Sequence, residues 1–298
     1  MYSSRFRTSV LARANRRTCV SSHGHQLLTV PRLDDDSLET FTSQCWVPEA
    51  PALLPRGTFN HLPAFERWFV TSESQQGGIR LSQDYFQTYR HVSVPLEFTR
   101  RALADPAEDT FERIEAPLAL FLDWVQNYHA STKENVYLAQ ASIARLPLEL
   151  RNDLPTPDLV AQAGRGDIYD TNIWIGIPPT YTPLHRDPNP NLLLQLAGTK
   201  LVRLVKPSIG ADIFREVQEK LGQNPSNRLR NHEMMQGEEK RLFEDAIWHS
   251  DHALLGSRCT GYECRLERGD GIFIPKGWWH SIKGVGDSIT ASVNWWFR

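Results

Sequence analysis

Residues 181–200 read YTPLHRDPNPNLLLQLAGTK. His185 and Asp187 stand two apart in this stretch. In an extended strand, positions i and i+2 project from the same face. An imidazole and a carboxylate projecting together can hold one metal ion, and Pro183 and Pro188 stiffen the backbone on either side. A third ligand has to come from another strand. GDGIFIPKGWWHS (269–281) offers His280 after a turn, a short apolar strand and a second tight approach. Two imidazoles and one carboxylate make the facial set of non-haem iron(II), which leaves coordination positions open to reactants. A closed zinc site more usually wants cysteines or a third histidine. On residue types alone an HxD pair also arises by chance, and His280 beside two tryptophans also suits a packed core.

Lys200 begins the apolar run KLVRLV just after a glycine and a threonine. Its charge is costly inside an apolar barrel without an anion beside it. A bound dicarboxylate supplies that anion; a stem that carries the amine out to solvent is the alternative. Thr182 and Asn191, in the same stretch, offer hydrogen bonds to a carboxylate.

Strands have to position these groups. VYLAQASI (136–143), NIWIGIPPTYTPLH (172–185), NLLLQLA (191–197), KLVRLV (200–205), YECRLE (262–267), GIFIP (271–275) and TASVNWWF (290–297) are short runs rich in β-branched and aromatic residues. Gly, Pro and Asn punctuate them, the pattern of a sandwich or jelly roll. The predicted fold is mainly β within an α+β frame: a jelly-roll core over 136–298, a helical part over 34–135 and a helical insertion at about 208–256. LPAFERWFV (62–70) and APLALFLDWVQNYHA (116–130) have helical spacing, with Pro117 suited to a first turn. FREVQEKL (214–221) and GEEKRLFEDAIW (237–248) predict helices within the insertion. Their charges are read as a solvated face, with cover for a substrate as the second reading.

A chain of 298 residues with 40% hydrophobic content can bury one sizeable core, here read as a single domain over 34–298. A net charge of −2 and the lack of a basic, aromatic-interleaved stripe give no nucleic-acid footprint. Cys19, Cys45, Cys259 and Cys264 are too scattered for a disulfide framework and are read as reduced thiols. No apolar run reaches the ~18 residues of a membrane span. Residues 1–33 carry Arg5, Arg7, Arg13, Arg16, Arg17 and Arg32 and no acid. That composition predicts a mitochondrial targeting segment. A disordered basic tail on a cytoplasmic or nuclear protein is the alternative.

Several blocks in order carry a family resemblance. PALLPRG (51–57), VPLE (94–97), YLAQ (137–140), TPLHRDPNPNLLLQLAGTK (182–200), IPKGWWHSI (274–282) and VNWW (293–296) resemble the JmjC-type, cupin-fold Fe(II)- and 2-oxoglutarate-dependent oxygenases. The likeness covers most of residues 48–298, and within the family it is nearest the small protein-hydroxylase branch. It implies a double-stranded β-helix with His185, Asp187 and His280 as iron ligands. It implies that Lys200 pairs with the distal carboxylate of 2-oxoglutarate, that Thr182 and Tyr137 bond the same end, and that Asn191 and Asn294 lie by the metal-bound end. Fe(II), 2-oxoglutarate and O2 are the implied cofactor and co-substrates, and hydroxylation of a protein or peptide side chain is the first implied activity. Demethylation of N-methyl-lysine is ranked below it, since no CxxC-type zinc module or reader segment is visible. A tRNA or small-molecule hydroxylase, a cupin that uses no 2-oxoglutarate, and an inactive binding cupin complete the alternatives. The gap from Asp187 to His280 is longer than a minimal member needs, which puts substrate choice in doubt. Trp174 and Tyr181 are read either at the substrate mouth or in barrel packing, and Trp278 and Trp279 as structural. The chain stops at Arg298, directly after the last expected strand, so the C-terminal dimerisation segment of some members is expected to be missing.

Overall fold

The structure is a computed structural model and describes residues 27–71, 78–100, 110–129, 132, 134–222, 237–249 and 261–298. From residue 168 onward the chain alternates between two facing sheets. Ile168–Gly176, Asn191–Ala197, Gly271–Ile274 and Thr290–Phe297 lie in the larger; Thr180–Arg186, Thr199–Val205, Tyr262–Leu266 and Trp279–Val285 lie in the smaller. Every pairing among these strands is antiparallel. This is the predicted jelly roll.

Burial explains the sequence patterns. Thr199–Val205 alternates, with Lys200, Val202 and Leu204 buried and Leu201 and Arg203 only partly covered. Asn191–Ala197 is buried throughout, because it is covered on both faces. Leu193 packs in the barrel interior with Val202, Leu204 and Ile272. Leu192 and Leu194 turn outward to a second core with Trp68, Phe121, Leu138 and Trp295. The four leucines of Asn191–Ala197 therefore serve two cores at once.

The structure corrects the expected elements in several places. The run 172–185 is two strands, Ile168–Gly176 and Thr180–Arg186. Pro178 and Pro179 sit at the break, where the chain crosses between sheets; neither has an N–H to continue a ladder. The part expected to be helical, 34–135, has the helices Leu38–Phe41, Ala64–Arg67, Gln83–Phe86 and Leu118–Gln126. It also has two long strands, Ser93–Arg100 and Thr110–Pro117, which with Glu134–Ser142 widen the larger sheet. Thr110–Pro117 is the outermost strand and largely polar, so its sequence lacks an apolar signal. The helix expected over 62–70 ends early, and Phe69–Thr71 becomes a strand paired with Ile79–Leu81. Asp153 is fully buried and accepts from Arg67 Nη1 and Trp68 Nε1, both at 2.7 Å, fixing this layer.

The folded body also begins before residue 34. Leu28 and Thr29 pair in parallel with Tyr262 and Glu263, and Arg32 Nη2 lies 2.8 Å from Asp270 Oδ1. Residues 1–26, on which the targeting expectation mainly rests, lie outside the described residues.

Both insertion helices form, as Pro207–Lys220 and Gly237–Trp248. They pack on the outer face of the smaller sheet, where Ile213, Phe214, Val217, Phe243 and Ile247 meet Leu184 and Trp279. A Cβ at Gly210 would lie 2.0 Å from Trp279 Cγ, so only glycine lets the first helix approach this closely. The rest of the insertion, 223–236 and 250–256, is outside the described residues. No described helix is long and apolar enough to cross a membrane.

Candidate metal centre

Strand register brings the distant histidine to the HxD pair. His280 is directly cross-strand from His185, and their ring centroids are 4.2 Å apart. Asp187 Oδ1 lies 3.9 Å from His185 Nε2, and Asp187 Oδ2 lies 3.6 Å from His280 Nε2. Donor atoms of all three residues fall within 4.8 Å of one another, the only such group of three among the described residues.

The second ring nitrogens set the orientation. His185 Nδ1 is 2.9 Å from the carbonyl of Pro183, and His280 Nδ1 is 3.1 Å from that of Trp278. A carbonyl only accepts, so each Nδ1 carries the hydrogen and each Nε2 lone pair faces the shared space. Burial, helped by the nearby His185, pushes His280 down to about 4. The ring is thus neutral, the form a metal requires. Burial alone would raise Asp187, but the two imidazoles and the hydrogen bonds from Trp296 and Asn191 outweigh it and hold the carboxyl below its usual value. Two imidazoles and a carboxylate fit a divalent transition metal such as iron(II).

Asn191 and Asn294 sit at this end of the barrel, but their amides serve the carboxylate. Asn191 Nδ2 donates to Asp187 Oδ2 at 2.9 Å, and Asn294 Nδ2 donates to Asn191 Oδ1 at 2.9 Å. Trp296, which the sequence analysis did not single out, donates Nε1 to the same Asp187 oxygen at 2.8 Å. The available signal was its i+2 relation to Asn294, which puts both on the barrel face. Trp296→Phe removes that donor and keeps the ring. It is expected to weaken Mn(II) or Co(II) binding, read by calorimetry, by about tenfold, at the low end of outer-partner effects.

Lys200 lies deeper, 3% exposed, with Nζ 2.5 Å from Ser292 Oγ and 3.4 Å from Tyr137 OH. Burial pushes its amine from 10.5 down to about 7, and no acid offsets that. Among the described residues this buried amine is supported only by hydroxyls and has no counter-ion; a bound carboxylate would provide one. Lys200, Gly284 and Thr180 are neighbours across three strands. A Cβ at Gly284 would lie 2.3 Å from Thr180 Oγ1, so glycine there keeps the space in front of the hydroxyls open. Tyr137 is partly buried, and burial raises its phenol well above the ordinary value, so it stays a neutral donor. Thr182 lies in the strand that carries His185, cross-strand from Ile282. Ser292 was not foreseen; a serine within a strand carries no signal of its own.

Glu97 was also missed. It is 7% exposed, cross-strand from both Tyr137 and Arg113. Burial raises its carboxyl to about 7, against the opposing pull of Arg113 and Lys240. An acid within VPLE was the available signal. Trp174 faces the pocket: its ring is 6.1 Å from that of Tyr137, and its buried Nε1 has no hydrogen-bond partner. Tyr181 instead points to the opposite face, where Lys240 and Lys283 lie 5.9 and 5.4 Å from its ring centroid. Trp278 packs in the barrel core and Trp279 beneath the insertion.

Comparison with known proteins matches residues 39–298 to the cupin-like domain family. Lysine-specific demethylase 8 of Danio rerio is 30% identical over 274 residues, 90% of this chain and 58% of that protein. Lysine-specific demethylase JMJ30 of Arabidopsis thaliana is 26% identical over 261 residues, covering 87% and 53%. Jumonji C domain-containing protein 5 of Drosophila melanogaster is 26% identical over 271 residues, covering 90% and 59%. The chain spans a little over half the length of these relatives. With that match spanning most of its length and relatives of this kind, the chain belongs to the cupin-like domain family, among its JmjC-type members.

Proposed function

We propose that this chain is an Fe(II)- and 2-oxoglutarate-dependent oxygenase that hydroxylates a C–H bond in a protein or peptide side chain. One observation carries the reading: a convergent His185–Asp187–His280 cluster and a buried amine without a counter-ion, Lys200, line the same barrel. In JmjC proteins, ferrous iron with 2-oxoglutarate and O2 supplies the oxidant, as the keto acid is converted to succinate and CO2. The residues here divide the remaining work. His185, Asp187 and His280 would hold the metal. Lys200, with Tyr137 and Ser292 beside it, would clasp the distal carboxylate, and Thr182 would add a hydroxyl at that end. Asn191, Asn294 and Trp296 would keep the Asp187 carboxylate aimed. The apolar barrel lining of Leu193, Val202, Leu204 and Ile272 would limit access of water to the reacting groups.

Anaerobic titration with Fe(II) and 2-oxoglutarate is expected to give a weak visible charge-transfer band, lost in His185→Ala, and O2 is expected to release succinate. Equal spectra from parent and variant would overturn the reading.

A cationic target is favoured by Glu97, a carboxylate in the pocket wall whose neighbours include Tyr137. This also supports the second reading, N-methyl-lysine demethylation, which the names of the relatives suggest. The two chemistries separate by mass spectrometry of the host proteome: hydroxylation leaves an added oxygen, whereas demethylation removes methyl groups. Binding of a blocked peptide with a central lysine or arginine, measured with 2-oxoglutarate present, is expected to strengthen as pH rises through about 7, where Glu97 ionises against Arg113 and Lys240. Glu97→Gln should flatten that profile and weaken binding by about tenfold, the worth of one charge-assisted hydrogen bond.

A further inference from the structure

We infer that Arg113 is the resident counter-ion of Glu97, and that an incoming cationic side chain has to displace it from the pocket wall. The inference rests on the reading of Glu97 just given and extends it. Arg113 on Thr110–Pro117 is directly cross-strand from Glu97 on Ser93–Arg100. Glu97 is in turn cross-strand from Tyr137 on Glu134–Ser142. Directly opposed residues share a face, with Cβ atoms about 4.5–5.5 Å apart. Tyr137 reaches Lys200, so the shared face is the one toward the pocket. Arg113 is half-buried on that face, beside a carboxylate that is 7% exposed.

Rather than closing on Glu97, the Arg113 guanidinium extends past it. Nη2 lies 3.5 Å from the carbonyl of Ala139, which is two strands away on Glu134–Ser142. The side chain therefore crosses over Ser93–Arg100, the strand that bears Glu97. The carbonyl it reaches belongs to a β-bulge. Register against Ile168–Gly176 shifts between Leu138 and Ala141, and Gln140 stands at φ 55°, backbone uncommon for a residue other than glycine. The ladder to Ser93–Arg100 stops at Leu96 and Leu138. The next residue along is Pro95, which has no N–H to offer Ala139. The bulge and the proline leave that carbonyl to Arg113.

This anchor is a weak one, at the outer limit of hydrogen-bond length. Arg113 also sits on the outermost strand of the sheet, so its flexible stem can swing toward solvent without disturbing a core. In the empty pocket its charge offsets the cost of burying the Glu97 carboxylate. A cationic side chain that takes Glu97 as its partner meets Arg113 as a like charge at short range. One cation is then exchanged for another, and part of the attraction to Glu97 is spent on the exchange. A neutral side chain makes no such exchange. Arg113 therefore narrows the advantage of cationic over neutral targets.

Three blocked peptides differing only in a central lysine, arginine or leucine test this on the full chain with Mn(II) and 2-oxoglutarate under argon. Binding is read by calorimetry at a pH well above 7, where Glu97 is ionised. Arg113→Gln is expected to tighten both cationic peptides by about tenfold and leave the leucine peptide unchanged. Arg113→Lys, which keeps the charge, should stay close to the parent. Millimolar guanidinium should refill the vacated place in Arg113→Gln and weaken cationic binding there, with little effect on the parent. A general loosening of the wall would not respond to guanidinium, and it would move the leucine peptide too; either result would overturn the counter-ion role. Cationic binding unchanged or weakened in Arg113→Gln, but weakened in Glu97→Gln, would overturn the role of Arg113 alone. Cationic binding unchanged in Glu97→Gln would remove the carboxylate reading on which it stands.

Discussion

Asp187→Ala is expected to reduce 2-oxoglutarate-dependent succinate formation by about three orders of magnitude, since a metal acting in the reaction supplies several kcal/mol of stabilisation. The carboxylate is the sole anionic donor of the cluster and bridges the space between the Nε2 atoms of His185 and His280. Without it, two neutral imidazoles remain, a weak site for a hard divalent ion. The variant also strands the donors of Trp296 and Asn191 that now end on Asp187 Oδ2. An unsatisfied buried donor costs about 1–3 kcal/mol, so a modest fall in Tm should accompany the loss. The barrel itself should persist, because its strands are held by two apolar cores that Asp187 does not join. Calorimetric metal titration, succinate release and far-UV dichroism together check this. Turnover within tenfold of the parent, from a folded variant, would overturn the assignment of the site.

Lys200→Met is expected to move stability and ligand binding in opposite directions. The folded-state amine sits near 7, below its ordinary 10.5, because burial disfavours its charge. Between these values the unfolded chain holds a proton that the folded chain does not. Stability is therefore lost as pH falls from about 10.5 to about 7, and the loss is constant below that. Methionine removes the titration, so the ligand-free variant should melt higher at neutral and acidic pH, with no gain above pH 10.5. The gain is at most a few kcal/mol, less the bond that Ser292 no longer receives. Binding of 2-oxoglutarate should fall by about 10²-fold or more, since removing one partner of a buried charge pair costs about 3–5 kcal/mol. Melting with and without 2-oxoglutarate, at pH values on either side of the window, reads both effects. Ligand should raise the Tm of the parent and leave the variant unmoved. A variant that melts lower and still responds to ligand would overturn this role for Lys200.

Local pattern made much of the molecule legible. HxD in an extended run forces His185 and Asp187 to one face, whatever surrounds them. The amine of Lys200 inside an apolar strand demanded a partner, and the structure places it at 3% exposure among hydroxyls. Asn191–Ala197 and Thr290–Phe297 have the limits read from their apolar runs. Trp296, Ser292 and Glu97 escaped notice because an indole, a hydroxyl and one acid are ordinary strand residues until a partner stands opposite. The strand Thr110–Pro117 escaped because it is a largely exposed edge strand, held by its pairing with Ser93–Arg100 rather than by apolar residues of its own.

The sequence by itself determined the strand-rich class, the face parity of the reactive groups and the two insertion helices, since periodicity of two or of 3.6 is written along the chain. Tertiary structure alone decided that His280 lies opposite His185, that Trp296 reaches Asp187, and that Glu97 stands cross-strand from Tyr137. Those facts depend on which distant strands become neighbours and in what register. A difference of one residue in register would turn each of these side chains to the other face.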